Sequence, residues 1–372
     1  MDRPGQHPAP LRATPGIGLR LPHLALIARG DVDPLLPDGL WFEVHAENFM
    51  VPGGPRRAAL IDIAARHPVS LHGVGLALAG TEPAPLPHLR RLARLCDDVG
   101  PVLVSDHLAW QRIGRWHVPD FLPFPRTRAA LALTAANVDR AQQILGRRLL
   151  IENPSHYVAQ ADLPGDHDMP EHAFLAELAD RTGCGLLIDV NNIHVSAHNL
   201  GLDAVALVDA VPAEAVAEIH VAGHSADPGG RLLIDSHDCP VASAVFALAE
   251  RLLARTGPVP LLVERDADLP PLQPCWPRRR RFPRCWRRRA GPGRDTMRPE
   301  PVPAATARCP PQRRRPSRRG SRVFCRCPCP DALGDPQYRR AGRQRPRLPF
   351  TATMRWWQRR PRFRTIIPCC GR

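Results

Sequence analysis

The chain has 372 residues and a formal charge of +15, but the two signs are segregated. Residues 1–271 hold 22 arginines against 32 acids, about −10, whereas residues 272–372 hold 29 arginines against 4 acids, about +25. The acidic balance of the first segment argues against nucleic-acid binding there. The lack of any run of roughly 18 apolar residues argues against a membrane span, and no signal-peptide core opens the chain. A cytoplasmic protein with no membrane partner is expected.

All 16 histidines lie in the first segment and 8 of the 11 cysteines in the second. Cys96, Cys184 and Cys239 are single and widely spaced, which reads as buried free thiols. There is no lysine, which together with abundant Ala, Arg, Pro and Gly suggests a GC-rich coding sequence.

Residues 1–15 form a Pro-rich flexible lead. A first short strand covers residues 16–20 and a second residues 40–48, where alternation turns Glu43 and His45 the same way and leaves Glu47 and Asn48 at the end. A helix over 56–67 carries Ala59, Leu60, Ile63 and Ala64 on one face. The third strand ends on His72, followed by Gly73 and Gly75, and a helix over 86–99 returns the chain. The fourth strand delivers Asp106 and His107, and an Ala- and Leu-rich helix over 126–145 leads to the fifth. There Leu149, Leu150 and Ile151 run straight into Glu152, Asn153 and Pro154, as a strand buried on both faces does before a polar loop.

A helix over 170–182 stops at Gly183 to Gly185. The sixth strand then closes on Asp189, with Asn192 and His194 just beyond it. After a helix over 202–211, the seventh strand, 218–222, carries His220 and leads to His224. A polar loop holds Asp235 and His237, a helix spans 241–255, and the eighth strand, 260–264, ends on Glu264. Isolated histidines such as His45 are read as structural.

Six strand ends thus offer His, His, Glu, Asp, His and Glu at intervals of about 30 to 45 residues. That is the layout of an α/β fold of the TIM, or (β/α)8, type, with its site at the C-terminal face of the strands. Residues 16–271 supply the length of one such barrel. Its closing helix is missing or degraded, because from residue 272 the chain turns to Arg, Pro, Cys and Trp with no period. Residues 272–372 read as a low-complexity, disordered basic tail, with the composition a reading-frame error in a GC-rich gene produces. The competing reading of the tail is a binder of nucleic acid or acidic surfaces. Cys325, Cys327 and Cys329 are discounted as a metal site, since no histidine or second spaced pair accompanies them.

His72, His107, Glu152, Asp189, His220, Asp235, His237 and Glu264 converge on one barrel mouth. Carboxylates at that density repel unless cations neutralise them. Imidazole and carboxylate without thiolate suit Fe, Mn or Zn. The ligands are too many for one ion, so two or three metals are implied, with a carboxylate such as Glu152 bridging.

The order His, His, Glu, Asp, His, Asp-x-His, Glu resembles the trinuclear pattern of endonuclease IV and xylose-isomerase-like barrels. The stretches around Gly16–Arg20, Phe42–Asn48, Ser70–Leu76, Ser105–Leu108, Ile151–Pro154, Asp189–Asn192, Ile219–His224, Asp235–His237 and Glu264–Asp266 resemble, more specifically, the multinuclear non-haem iron-dependent oxidative enzymes (MNIO). That family was long listed as uncharacterised; the likeness spans residues 16 to about 271, and the tail has no counterpart in it.

The resemblance implies one iron held by His72, His107 and Glu152, and a second held by Glu152, Asp189, His220 and Glu264. A third falls to Asp235 and His237 with Asn192, or with His194 in its place. Glu152, His107 and Asp189 would be catalytic, and Glu47, Asp106, Asn153, His194 and His224 would line the second shell or substrate pocket. The implied cofactors are two or three irons, mixed Fe(II) and Fe(III), with O2 as co-substrate. The implied reaction is oxidative modification of cysteine in a ribosomally made (RiPP) precursor peptide, aided by a small leader-binding partner protein. The alternatives are a multinuclear zinc phosphoesterase of endonuclease IV type, which the acidic barrel disfavours, and an inactive, frameshifted product. An aldose isomerase is disfavoured by the missing lysine.

Overall fold

The computed structural model describes residues 11, 14–113, 116–163 and 169–271. Eight strands run parallel and close on themselves. They are β1 (Pro15–Gly18), β2 (Trp41–His45), β3 (Val69–Gly73), β4 (Leu103–His107), β7 (Leu150–Glu152), β8 (Gly185–Asp189), β9 (Val216–Ala222) and β12 (Leu261–Glu264), and β12 pairs with β1 to seal the barrel. The chain is therefore the TIM barrel its strand ends implied. The remaining strands form two antiparallel hairpins that the sequence did not signal: β5 (Trp110–Ile113) with β6 (Trp116–Leu122), and β10 (Ser225–Ala226) with β11 (Leu233–Ile234).

The barrel strands are short and apolar because helices cover their outer faces, so both faces are buried. The covering helices are α1 (Leu21–Ala28), α2 (Pro55–Ala64), α3 (Leu86–Val99), α4 (Arg128–Leu145), α5 (Glu171–Thr182), α6 (Val190–Leu200), α7 (Ala204–Ala210) and α8 (Ser243–Thr256). In α3, Leu89, Leu92, Leu95, Cys96 and Val99 recur at three- and four-residue spacing and are all buried, and Gly100 ends the helix in the left-handed conformation. At the start of α4, Thr127 Oγ1 accepts the Ala130 amide at 3.0 Å.

Two helices went unforeseen. The segment 21–28 is short and apolar throughout, with no polar face to set a period. Helix α6 begins on the residue directly after β8, so no loop separates strand from helix. The expected closing helix and basic tail fall from residue 272 on, outside the described residues, and no helix lies between β12 and residue 271. Its place in the ring would be between α8 and α1.

Close approach of β1 to β2 depends on Gly16, where an added Cβ would sit 2.3 Å from the Trp41 ring. Trp41, fully buried, donates its indole N–H to the Thr14 carbonyl at 2.8 Å. Cys96 and Cys184 are buried free thiols. Cys239 departs from the expectation of three free thiols, because it is disulfide-bonded. No helix among the described residues is long and apolar enough to cross a membrane.

Candidate metal centre

Parallel register carries the strand-end side chains to one level. His72 pairs across from His45, His107 from Glu152, and Asp189 from His220. Their side chains then converge inside the C-terminal mouth. His72 Nε2 and His107 Nε2 each stand 3.2 Å from the same oxygen, Glu152 Oε2. Glu152 also groups with Asp189 and His220, and Asp189 with His237 and Glu264. Two ligands at right angles on an ion, each ~2.1 Å away, are separated by about 3.0 Å. The recurrent contacts of 3.1 to 3.2 Å match that spacing.

Hydrogen bonds on the far ring nitrogens aim these imidazoles. His107 Nδ1 faces the Gly73 carbonyl at 3.3 Å, and a carbonyl only accepts, so Nδ1 carries the proton and Nε2 presents its lone pair to Glu152. His72 Nδ1 lies 2.8 Å from Ser105 Oγ. On β8, Asp189 caps α6: its Oδ1 accepts the Asn192 amide at 2.8 Å, which leaves Oδ2 turned inward.

Burial dominates the electrostatics. It holds His72 well below the ordinary histidine range and His107 down to about 4. It raises Glu152 well above the ordinary carboxyl range, and with the Asp235 charge it lifts Asp189 to about 7. His220 and His237 move the other way against the cost of burial, because Glu43 faces the first and Glu264 the second. The surrounding carboxylates thus favour the protonated forms of these two rings, the sign of charge that bound cations would otherwise supply.

Glu152 Oε2, Asp189 Oδ2, Asn192 Oδ1 and His237 Nε2 are all buried without a hydrogen-bond partner. Orphaned donors and acceptors at that density are what a set of metal ligands looks like when only protein atoms are counted. The residues present therefore fit a multinuclear site of imidazole and carboxylate ligands.

Asn192 and His194 separate cleanly. Asn192 Nδ2 bonds the Asn153 carbonyl at 3.0 Å and lies 3.4 Å from Glu152 Oε1, while its Oδ1 is buried without a hydrogen-bond partner. His194 instead packs against His224, ring centroids 4.9 Å apart. His224 Nδ1 donates to Asn191 Oδ1 at 2.7 Å, and Asn191 Nδ2 donates to Asp235 Oδ1 at 2.8 Å, a relay that ends 2.7 Å from His237 Nε2. Asn153 locks β7 to β8 by a pair of bonds to the Asp189 backbone at 2.9 and 3.1 Å. Glu47 and Asp106 pin the loop after His72 by accepting the Val74 amide at 3.1 Å and the Leu76 amide at 3.2 Å.

Several neighbours of the cluster were not assigned from sequence. Arg20, at the end of β1, donates to Glu264 Oε1 at 2.8 Å and to Asp266 Oδ1 at 2.6 Å. His45, read as structural, stands 3.8 Å from Glu264 and 3.9 Å from Asp266. Phe121, from the β5–β6 hairpin, stacks on His107 with centroids 3.8 Å apart. The usable signal for Arg20 and Asp266 was their position one or two residues beyond a barrel strand end, where TIM-barrel sites are built.

A parallel barrel with a buried nest of imidazoles and carboxylates at its C-terminal face defines a class: TIM-barrel proteins fitted to hold several cations. Within that class, the family model described as RiPP precursor modification enzyme MbnB/TglH/ChrH matches residues 14–282, and the chain belongs to that family. A UPF0276 protein of Caulobacter vibrioides is 55% identical over 257 residues, 68% of this chain and 88% of its own. A UPF0276 protein of Bordetella pertussis is 45% identical over 276 residues, 73% of this chain and 92% of its own. Among solved structures, endonuclease IV from Thermus thermophilus aligns with TM-score 0.44 and 18% identity over 68% of this chain and 92% of that one. D-psicose 3-epimerase from Clostridium cellulolyticum aligns with TM-score 0.47 and 10% identity over 69% and 86%.

Proposed function

We propose that this chain is an iron- and O2-dependent enzyme that oxidatively modifies cysteine in a ribosomally made precursor peptide, in the cytoplasm and with a small leader-binding partner. The family supplies the substrate class, a RiPP precursor. The observation that carries the chemistry is the thiolate-free cluster around Glu152, whose one carboxylate serves two neighbouring groups of ligands. In this reading His72, His107 and Glu152 hold one iron, and Glu152, Asp189, His220 and Glu264 a second. Asp235, His237 and Asn192 hold a third. Bound there, iron supplies the electrons for O2 reduction and lowers the pKa of a substrate thiol.

The protein's own part is positional. The Gly73 carbonyl and Ser105 orient the two imidazoles of the first group, Asn153 fixes the β7–β8 junction, and Phe121 shields His107 from one side. Glu47 and Asp106 keep the loop after β3 from drifting away from His72.

The test is metal analysis with Mössbauer spectroscopy on anaerobically purified full-length protein. Two to three irons per chain, part of them in a coupled mixed-valent pair, are expected. Full zinc occupancy with no iron uptake on reconstitution would overturn the reading in favour of a phosphoesterase.

A further inference from the structure

Below the ligand cluster the barrel interior is charged where branched aliphatic layers are the rule. Glu43 precedes His45 by two residues on β2 and Glu218 precedes His220 by two on β9, so both point into the barrel one layer deeper than the mouth. Both are 0% exposed. None of their four oxygens has a hydrogen-bond partner. Between them stands one ring nitrogen: His220 Nε2 lies 3.3 Å from Glu43 Oε2 and 3.5 Å from Glu218 Oε1. The other nitrogen, Nδ1, lies 3.1 Å from Glu264 Oε2, on the side of the metal ligands.

We propose that Glu43 and Glu218 are positioning residues for His220: as the carboxylates nearest Nε2, 3.3 and 3.5 Å away, they hold the ring's proton on the inner side and so present its Nδ1 lone pair to the metal. A neutral imidazole has one proton for two nitrogens. Without acceptors beneath, that proton would settle on Nδ1 and bond to Glu264, which removes both side chains from ligation at once. Carboxylates behind a ligating histidine fix its tautomer and orientation. Burying two of them is costly unless something is gained, and the deep pair touches no other cation.

The inference rests on the metal-binding reading above, and the experiment separates the two. Full-length wild type, Glu43→Gln, Glu218→Gln and the double variant Glu43→Leu/Glu218→Leu are loaded with iron anaerobically. Iron per chain, Mössbauer spectra and thermal melts are then compared. The double leucine variant is expected to melt at or above wild type, because unpaired buried charge is removed. It should nonetheless bind the iron at His220 about 10- to 100-fold more weakly, with loss of that iron's doublet. Glu43→Gln keeps an acceptor oxygen and should restore the doublet. If the double variant does not fold, Glu43→Leu against Glu43→Gln gives the same contrast. Wild-type iron content and spectrum in the leucine variants would overturn the inference. So would one extra ion in wild type that the glutamine variants also lose, since the pair would then be ligands. If wild type itself takes up no iron, the metal-binding reading fails before any variant is compared.

Discussion

Gly223 controls whether His237 can reach the cluster. It follows β9, and its carbonyl accepts the His237 amide at 3.0 Å, so the loop bearing Asp235 and His237 is hung directly on it. A Cβ at this position would lie 1.8 Å from the Cys239 carbonyl oxygen and 2.4 Å from its carbon. Real Cβ contacts do not fall below 3.0 Å, so the loop must retreat by at least ~1.2 Å. The obstacle is backbone, not a flexible side-chain tip, which puts Gly223→Ala toward the upper part of the overpacking range, about 2–3 kcal/mol. For a barrel of this size that lowers the melting temperature by roughly 5–10 °C.

A retreat of that size exceeds the ~1 Å misplacement that already costs about 100-fold in a catalytic constellation. The assay is a thermal melt paired with iron per chain after reconstitution, and Gly53→Ala is the control, because nothing lies within 4 Å of its added Cβ. Loss of one iron, together with the melting shift, is expected for Gly223→Ala alone. A variant that melts within a degree of wild type and keeps its full iron count would refute the reasoning.

Glu152→Gln removes the carboxylate common to two ligand groups, so iron per chain should fall by two sites and not one, read by metal analysis on folded protein. Loading the apo-protein with Fe(II) near pH 6.5 should release protons, because burial and the Asp235 charge lift Asp189 to about 7 and burial raises Glu152 well above the ordinary carboxyl range. A pH indicator in weak buffer reads this, and proton-neutral uptake would contradict it. His224 is held down to about 4 by burial and the nearby His194 charge, whereas the unfolded chain takes up its proton near ~6.5. The stability it contributes is therefore complete above ~6.5 and is lost as pH falls toward 4. Denaturation midpoints across that window should be flatter in His224→Gln. Phe121→Ala strips the ring stacked on His107, at a cost of about 1 kcal/mol beyond lost burial. Chelators should then extract iron faster than from wild type.

Most of the barrel was legible because its strands obey one rule, an apolar run ending on a polar side chain, that both burial and function enforce. The helices with a mixed surface were equally legible: 86–99 matches α3 to the residue. What escaped lacked a local signature. Helix α6 starts directly after the last residue of β8 because Asp189 serves at once as strand end, helix cap and cluster member, and a periodicity scan splits such a residue between elements. The ligand-type residues at strand ends were found since each carries its chemistry in its own name. Glu43, His45 and Arg20 were passed over because their meaning is relational: each acquires a partner from a strand more than 20 residues away, and Glu218 joins Glu43 only through His220, two residues further along its own strand. A lone buried glutamate in an aliphatic strand is costly, and the cost is tolerable only where another strand brings a proton or a cation to meet it. Inward-facing charges along neighbouring strands therefore have to be read across the barrel as one ring, with period two applied to each strand first. Applied to β2 and β9, that places Glu43 and Glu218 together under His220 before any coordinate is consulted.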